Sequence, residues 1–502
     1  MGSIIYSKIK FIIFVFLILT VNILSQNNYE RVKITIDSKA SYLKLNRKTF
    51  GSNINWINNG DGLVFNNKIT DEDIRLIKNL GIDILRYPGG DLAEKFDWKN
   101  SIGELSKRGT SLDYGNKPAK IIFGLTDFLN LCERLNIQPL ITVGFTNNTL
   151  DNIMQLVEYC DGDTSTFWGR QRAIDGHPRP YNVKYWEIGN GVYWKGMSLE
   201  NATDYSNGVN VISKSIKNLY PYAKVGAILN GHNDVWDKTV ISICAPEVDF
   251  LVVHEYYPNP NIIIKDTTQF NNIVIASTKA MEENLNRLER LAQATNNDIK
   301  FAVTEYNLYL LDNKGLFING KPDILQGLFI AECLKDFITD PDIMMACKWQ
   351  LSSYTQHFFA DINFNKHTKT WLSPSYYIQK LIYNANIDSL IKISCSSPTT
   401  SVKDYWNKTP MITAPLVSSF GGINENHSEI TFFINNMSTK SFDNSEVDLL
   451  NYSGNASINI AYYNGVDSLY NKSFTKKINA SNSIFPINIP PLTFIICTVN
   501  RN

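Results

Sequence analysis

Between about residue 46 and residue 385, short apolar runs alternate with stretches whose apolar residues recur at helical spacing. That alternation is the pattern of repeated βα units, in which helices cover a parallel sheet. Eight runs qualify as strands, at 49–54, 82–87, 139–144, 183–190, 223–228, 248–254, 299–305 and 343–351. Of the helical stretches between them, 71–80 is the clearest, with Thr70 placed to cap its first turn and Gly81 to stop it. Eight such units, with no glycine-rich dinucleotide fingerprint after the first strand, predict an α/β fold of the (β/α)₈ TIM-barrel type over 46–385 rather than an open doubly wound sheet. Past about residue 390 the helical period vanishes. Strand-like runs at 430–434, 458–463 and 492–499, separated by Asn, Ser and Gly, predict a C-terminal all-β sandwich over 386–502. The segment 26–45, with alternating Val32, Ile34 and Ile36, precedes the barrel and is expected to lend that sandwich a strand.

Lys8 and Lys10 stand before an apolar run at 11–24, and the small Ser25 precedes a polar stretch. This order predicts a secretory signal peptide over 1–25, hence a secreted, extracellular protein with no membrane association after cleavage. Asn-x-Ser/Thr acceptors begin at Asn147, Asn201, Asn407, Asn426, Asn436, Asn451, Asn455, Asn471 and Asn479. Their crowding after Asn407 predicts an exposed, glycosylated C-terminal unit in a eukaryotic host. Lys plus Arg and Asp plus Glu are equal at 48 each, so no global field favours nucleic acid or an anionic membrane. A neutral substrate fits that balance. The seven cysteines form no Cys-x-x-Cys pair, which argues against a zinc site. Cys347 and Cys497 lie in apolar runs and read as buried small hydrophobes, with a disulfide elsewhere left open.

Barrels of this kind carry their chemistry where strands run out at the C-terminal face. Arg86 closes the second run, Asn190 the fourth, His254 the sixth with Tyr256 beyond it, Glu305 the seventh, and Trp349 with Gln350 the eighth. Taken alone, Glu305 reads more readily as a structural salt-bridge partner than as a reacting group, and His254 and Tyr256 read also as satisfied polar residues at a rim. Trp186, Trp194 and Trp349 could be sugar platforms or core.

A set of motifs in fixed order narrows this. They are Leu85-Arg86-Tyr87-Pro88-Gly89-Gly90 with Phe96-Asp97-Trp98, Phe123-Gly124-Leu125-Thr126-Asp127-Phe128, Val157-Glu158-Tyr159-Cys160, Arg172-Ala173-Ile174-Asp175-Gly176-His177-Pro178, Tyr185-Trp186-Glu187-Ile188-Gly189-Asn190 and Thr304-Glu305-Tyr306. Together they resemble the α-L-arabinofuranosidase family of retaining glycoside hydrolases, in the clan that draws its acid/base from the fourth strand and its nucleophile from the seventh. The resemblance implies that Glu305 is the nucleophile and that Asn190 binds the hydroxyl beside the reacting carbon. It also implies that His254 and Tyr256 line the pocket and that Arg86 holds the nucleophile ionised. Asp91 and Trp349 complete the residues expected around the sugar. No metal or organic cofactor is implied.

Two positions depart from the family pattern. Retaining enzymes use two carboxyl groups about 5 Å apart, and Gly191 stands where the second is expected. The third run ends Val143-Gly144-Phe145-Thr146-Asn147 instead of the usual Asn and Gly pair. Glu187 shares strand parity with Gly191 but lies deeper, whereas Asp91 and Glu94, on the loop after the second run, are better placed to stand in. The expectation is a secreted retaining hydrolase of arabinofuranosyl-containing polysaccharide or glycoconjugate, impaired by the vacated acid/base. The alternative is an inactive carbohydrate-binding or regulatory protein on the same scaffold. Oligomeric state is open.

Overall fold

The computed structural model describes residues 31–258, 267–296, 298–309, 323–355, 357–403, 411–465 and 470–501. The expected signal peptide and the acceptor Asn407 lie outside the described residues. Two compact units are present. One comprises Leu43–Ala385 with Lys403–Ile412, and the other comprises the N-terminal part through Tyr42 with Asn386–Val402 and Thr413–Asn502.

The first unit is a closed parallel barrel of eight strands. In chain order these are β1 (Gly51–Asn53), β2 (Ile84–Tyr87), β3 (Gln138–Val143), β4 (Tyr185–Ile188), β5 (Lys224–Ile228), β6 (Phe250–Tyr257), β7 (Lys300–Leu308) and β8 (Ile343–Lys348), with β8 closing on β1. Each of the eight expected runs supplies one strand. The helix Asp71–Leu80 begins where expected: Thr70 accepts from the Asp73 amide, the Asp73 side chain accepts from the Thr70 amide, and Gly81 ends it. Such a cap is worth about 1 kcal/mol. Ile74, Ile77 and Leu80 form its buried face.

Strand ends differ from the sequence reading, each for a local reason. β4 stops at Ile188 because the Asn190 amide donates to Glu94 Oε1 instead of to a neighbouring strand. β8 stops at Lys348, and Gln350 instead exchanges backbone hydrogen bonds with Phe359 and Asp361. β6 and β7 run further, because after a register shift between Val303 and Glu305 they pair Glu305 with His254, Tyr306 with Glu255 and Asn307 with Tyr256. His254, Tyr256 and Glu305 therefore sit on paired strand rather than at loose strand ends.

The second unit carries one nine-stranded sheet. Its order is Tyr470–Ile478, Gly454–Tyr463, Thr493–Arg501, Glu429–Asn436, Val417–Ile423, Ser389–Ser396, Lys33–Lys44, Phe442–Leu450 and Ile484–Ile489. Lys33–Lys44 pairs in parallel with Phe442–Leu450, burying Ile34 and Ile36. Phe474 and Phe485, on the two terminal strands of the order, bring their rings to 6.0 Å. The sheet thus folds back on itself as a sandwich around Phe432, Ile434 and Phe485.

All seven cysteines are free, so the disulfide left open by the sequence is not formed. Cys347 and Cys497 are fully buried. Asn436 is buried as well, and its amide donates to the carbonyls of Lys440 and Pro490, which removes it from the exposed acceptors. Among the described residues, no helix is long and apolar enough to cross a membrane.

Candidate active site

Arg86, at the end of β2, is wholly buried and organises the barrel mouth. A guanidinium has five N–H groups in a rigid fork, and every one finds an acceptor here. Nε and Nη2 grip Glu187 at 2.7 and 2.8 Å, Nη1 donates to Glu305 Oε1 at 2.8 Å and Asn53 Oδ1 at 2.9 Å, and Nη2 also donates to Asn190 Oδ1 at 2.7 Å. One cation therefore fixes side chains from β1, β4, β7 and the turn after β4. Burial works against its charge, but Glu187 and then Glu305 outweigh burial and raise its pKa. For Glu187 burial pushes upward, and the Arg86 charge, with His254 at 3.9 Å, brings the carboxyl below its ordinary value.

Glu305 is 7% exposed, with each oxygen held separately. Oε1 accepts from Arg86, Oε2 accepts from Tyr256 Oη at 2.8 Å, and His254 Nδ1 stands 3.8 Å from Oε2. Burial, and then the charge of Glu305, lift the Tyr256 phenol well above its ordinary pKa, so it stays a neutral donor. Thr304 Oγ1 lies 3.1 Å from His254 Nε2 and fixes the ring from the neighbouring strand. A carboxylate so oriented, with one edge toward the mouth, has the geometry of a nucleophile.

Position 191 is the other half of the site. Gly191 is buried and adopts φ +58°, the left-handed region, as the chain turns from β4 into the 3₁₀ turn Val192–Lys195. A Cβ there would lie 2.6 Å from Trp194 Cδ1 and 3.3 Å from Asp91 Oδ1. Asp91 accepts from Asn190 Nδ2 at 3.0 Å. Trp349 also belongs to the mouth, half-buried, and its ring edge passes so close to Gly90 that a Cβ at 90 would lie 2.8 Å from it. Gly90, at φ +42°, is what lets the loop after β2 pass under that ring.

The residues singled out from sequence thus converge: Arg86, Asp91, Asn190, Gly191, His254, Tyr256, Glu305 and Trp349 all border one mouth. Glu187 is fully buried beneath it. Glu94 is separated from Asp91 by its bonding, since its carboxylate accepts from the amides of Phe145, Thr146 and Asn190 and from Thr146 Oγ1. The unusual end of β3 therefore serves to cap Glu94. The sequence reading missed Asn53, which ends β1 and accepts from Arg86, and Tyr114, whose Oη donates to Asn55 Oδ1 at 3.4 Å. Asn53 obeys the same strand-end rule as Arg86 and was discoverable; Tyr114 sits on the hairpin of Thr110–Leu112 and Pro118–Lys120, which carries no such signal. Among the described residues, the cluster with metal-ligand spacing is Glu289, Asp340 and Asp342, and Lys300 already contacts Asp342 at 2.7 Å. It precedes β8, at the opposite end of the barrel from the mouth.

Residues 76–274 match the family described as the Alpha-L-arabinofuranosidase 1 domain. Over these residues the chain is similar to the α-L-arabinofuranosidase family. It is 24% identical over 260 residues to an intracellular exo-alpha-(1->5)-L-arabinofuranosidase of Acetivibrio thermocellus, covering 48% of this chain and 50% of the relative. It is 29% identical over 221 residues to a probable alpha-L-arabinofuranosidase C of Aspergillus niger, covering 40% and 43%. The chain therefore spans about half the length, or less, of these curated relatives. The crystal structure of an alpha-L-arabinofuranosidase from Thermotoga maritima in complex with arabinose superimposes with a TM-score of 0.78 at 21% identity, over 93% of this chain and 100% of that one, a likeness of fold. The α-L-arabinofuranosidase match includes Arg86, Asp91, Asn190, Gly191, His254 and Tyr256 but ends before Glu305. The place of Glu305 in the site rests on the barrel itself.

Proposed function

We propose that this protein is a secreted retaining glycoside hydrolase that releases α-L-arabinofuranosyl units from polysaccharide or glycoconjugate, with Glu305 as nucleophile. The observation that carries this reading is Glu305 at the mouth end of β7, one oxygen on Arg86 and the other on Tyr256, with Asn190 sharing the same guanidinium. Glu305 attacks the anomeric carbon as the bond to the leaving oxygen breaks. The arabinofuranosyl ester that results is hydrolysed by water, which regenerates the carboxylate. Arg86 and Tyr256 hold the attacking oxygen in line, and Asn190 offers the hydrogen bond to the neighbouring hydroxyl. The balanced charge of the chain suits a neutral glycan. The relatives' names make terminal α-1,5-linked arabinofuranose the first substrate to try. Secretion is supported by the sequence of the first 25 residues.

Gly191 brings no proton donor, and a positioned general acid is worth about 10² to 10⁴ in rate. Unless another group supplies that proton, activity would depend steeply on leaving-group quality. The same vacancy favours a second reading, a carbohydrate-binding protein that has lost turnover. Mixing the protein with an aryl α-L-arabinofuranoside of good leaving group decides between them by mass spectrometry of the quenched protein. One pentosyl unit on the peptide containing Glu305, absent in Glu305→Gln, is the expected result. Binding of the sugar with neither adduct nor release of the aryl group would establish the binding-protein reading.

A further inference from the structure

We propose that Asp91 performs the proton transfers that position 191 cannot, as the general acid and then the general base of this site. The inference rests on Glu305 as nucleophile and adds a second catalytic residue on a different loop from the expected one. Four observations carry it. First, Asp91 Oδ1 stands 3.3 Å from where a Cβ at position 191 would be, so its carboxylate borders the space a glutamate side chain there would sweep. Second, Asp91 is coupled in space to the nucleophile through an unbroken chain of hydrogen bonds. Asn190 Nδ2 holds Asp91 Oδ1 at 3.0 Å, Arg86 Nη2 holds Asn190 Oδ1 at 2.7 Å, and Arg86 Nη1 holds Glu305 Oε1 at 2.8 Å.

Third, the other carboxylates near the mouth are already committed. Glu187 is fully buried in the Arg86 fork, Glu94 is taken up by three backbone amides and a hydroxyl, and Asp61 is 4% exposed and bound by the Asn55 amide and side chain. Asp91 is exposed at the mouth, and among the described residues its hydrogen bond is the one from Asn190, made to Oδ1. Oδ2 is left to face a leaving group. Fourth, the surroundings act in the same direction: partial burial first and the charge of Glu305 second push the Asp91 carboxyl above its ordinary value, against His254, Lys95 and the Asn190 hydrogen bond. Tyr114 and Tyr193 also lie within reach of its charge. A carboxyl raised above its ordinary value is suited to general-acid work.

In the first step the protonated Asp91 carboxyl gives its proton to the glycosidic oxygen while Glu305 attacks the anomeric carbon. The carbon–oxygen bond breaks, an alcohol departs, and the sugar is esterified to Glu305. In the second step the Asp91 carboxylate takes a proton from a solvent water whose oxygen attacks the same carbon. Glu305 leaves as a carboxylate and Asp91 is again protonated, so one water is consumed per bond cleaved.

The test compares the parent protein with Asp91→Asn on two substrates, a dinitrophenyl and an alkyl α-L-arabinofuranoside. Asp91→Asn should lose about 10²-fold or more on the alkyl substrate, yet still form the Glu305 adduct with the dinitrophenyl one. The adduct should accumulate, and azide should restore turnover with arabinofuranosyl azide as product. The parent's kcat/KM should fall at high pH as Asp91 deprotonates, and that limb should be missing in Asp91→Asn. Asp91→Ser, which keeps an acceptor for Asn190, should behave in the same way and covers the case in which Asp91→Asn folds poorly. An Asp91→Asn protein that cleaves the alkyl substrate as fast as the parent, or a parent that forms the adduct but cannot cleave the alkyl substrate, overturns the role of Asp91 and leaves Glu305 standing. Absence of the adduct in both the parent and Asp91→Asn overturns both.

Discussion

Arg86 satisfies all its donors within one cluster, and that makes it the residue on which the site depends. Replacing it with Met leaves Glu187 and Glu305 buried without a counter-charge, a situation that costs about 3–5 kcal/mol. Urea denaturation of Arg86→Met should show a loss of that size, and a midpoint equal to the parent's would mean the carboxylates find another partner. Arg86, Asn190 and Glu305 were legible in the sequence because each closes an apolar run, and Gly191 because its neighbours define what should stand there. Asp91 and Glu94 looked equivalent. Only the fold reveals that Glu94 is consumed by backbone amides and that Asp91 borders position 191. The same geometry bears on restoring a glutamate. At φ +58° a non-glycine residue costs roughly 1–2 kcal/mol, and Trp194, 73% exposed, must swing aside. Gly191→Glu should therefore gain little in the parent, where it would compete with Asp91 for one place. In the Asp91→Asn background it should recover about 10²-fold on alkyl substrates, and kinetics of the double variant would expose the error if nothing is recovered.

At the scale of elements, the long pairing of β6 with β7 is what presents His254, Tyr256 and Glu305 together. Apolar runs marked where these strands begin, but their polar ends read as loop, because nothing local in a sequence records that two such ends pair with each other after a register shift. Between His254 and Tyr256 on β6, Glu255 is fully buried, accepting from Asn284 Nδ2 at 2.9 Å. Burial pushes its carboxyl up to about 8, the hydrogen bonds of Asn284 and Tyr257 opposing without prevailing. From about pH 4.5 to about pH 8 the folded protein thus retains a proton that the unfolded chain has released. Stability from this group is complete below that window and declines as pH rises through it. Glu255→Gln should remove the decline, so its melting temperature should gain on the parent's steadily from pH 5 to pH 8. Parallel profiles would show that Glu255 does not titrate in this way.

For the molecule as a whole, the alternation of apolar runs and helical stretches predicted the barrel, and the loss of helical period predicted the all-β unit. The place of Lys33–Lys44 in that unit, between Ser389–Ser396 and Phe442–Leu450, was not legible. It depends on a parallel pairing between segments some four hundred residues apart, for which the alternation of Val32, Ile34 and Ile36 gives a face but no partner. The candidate site is similarly a property of assembly: the family match ends before Glu305, and Glu305 joins Arg86 and Asn190 only when β7 closes against β6 and β8. With Glu305 as the proposed nucleophile, a covalent intermediate forms and the anomeric configuration is retained. The most direct test of this is nuclear magnetic resonance of the products when an aryl α-L-arabinofuranoside is turned over in aqueous methanol, since a methyl glycoside cannot mutarotate. Methyl α-L-arabinofuranoside formed by the parent and not by Glu305→Gln is the predicted result; the methyl β-anomer, or the α-anomer formed equally by Glu305→Gln, would contradict it.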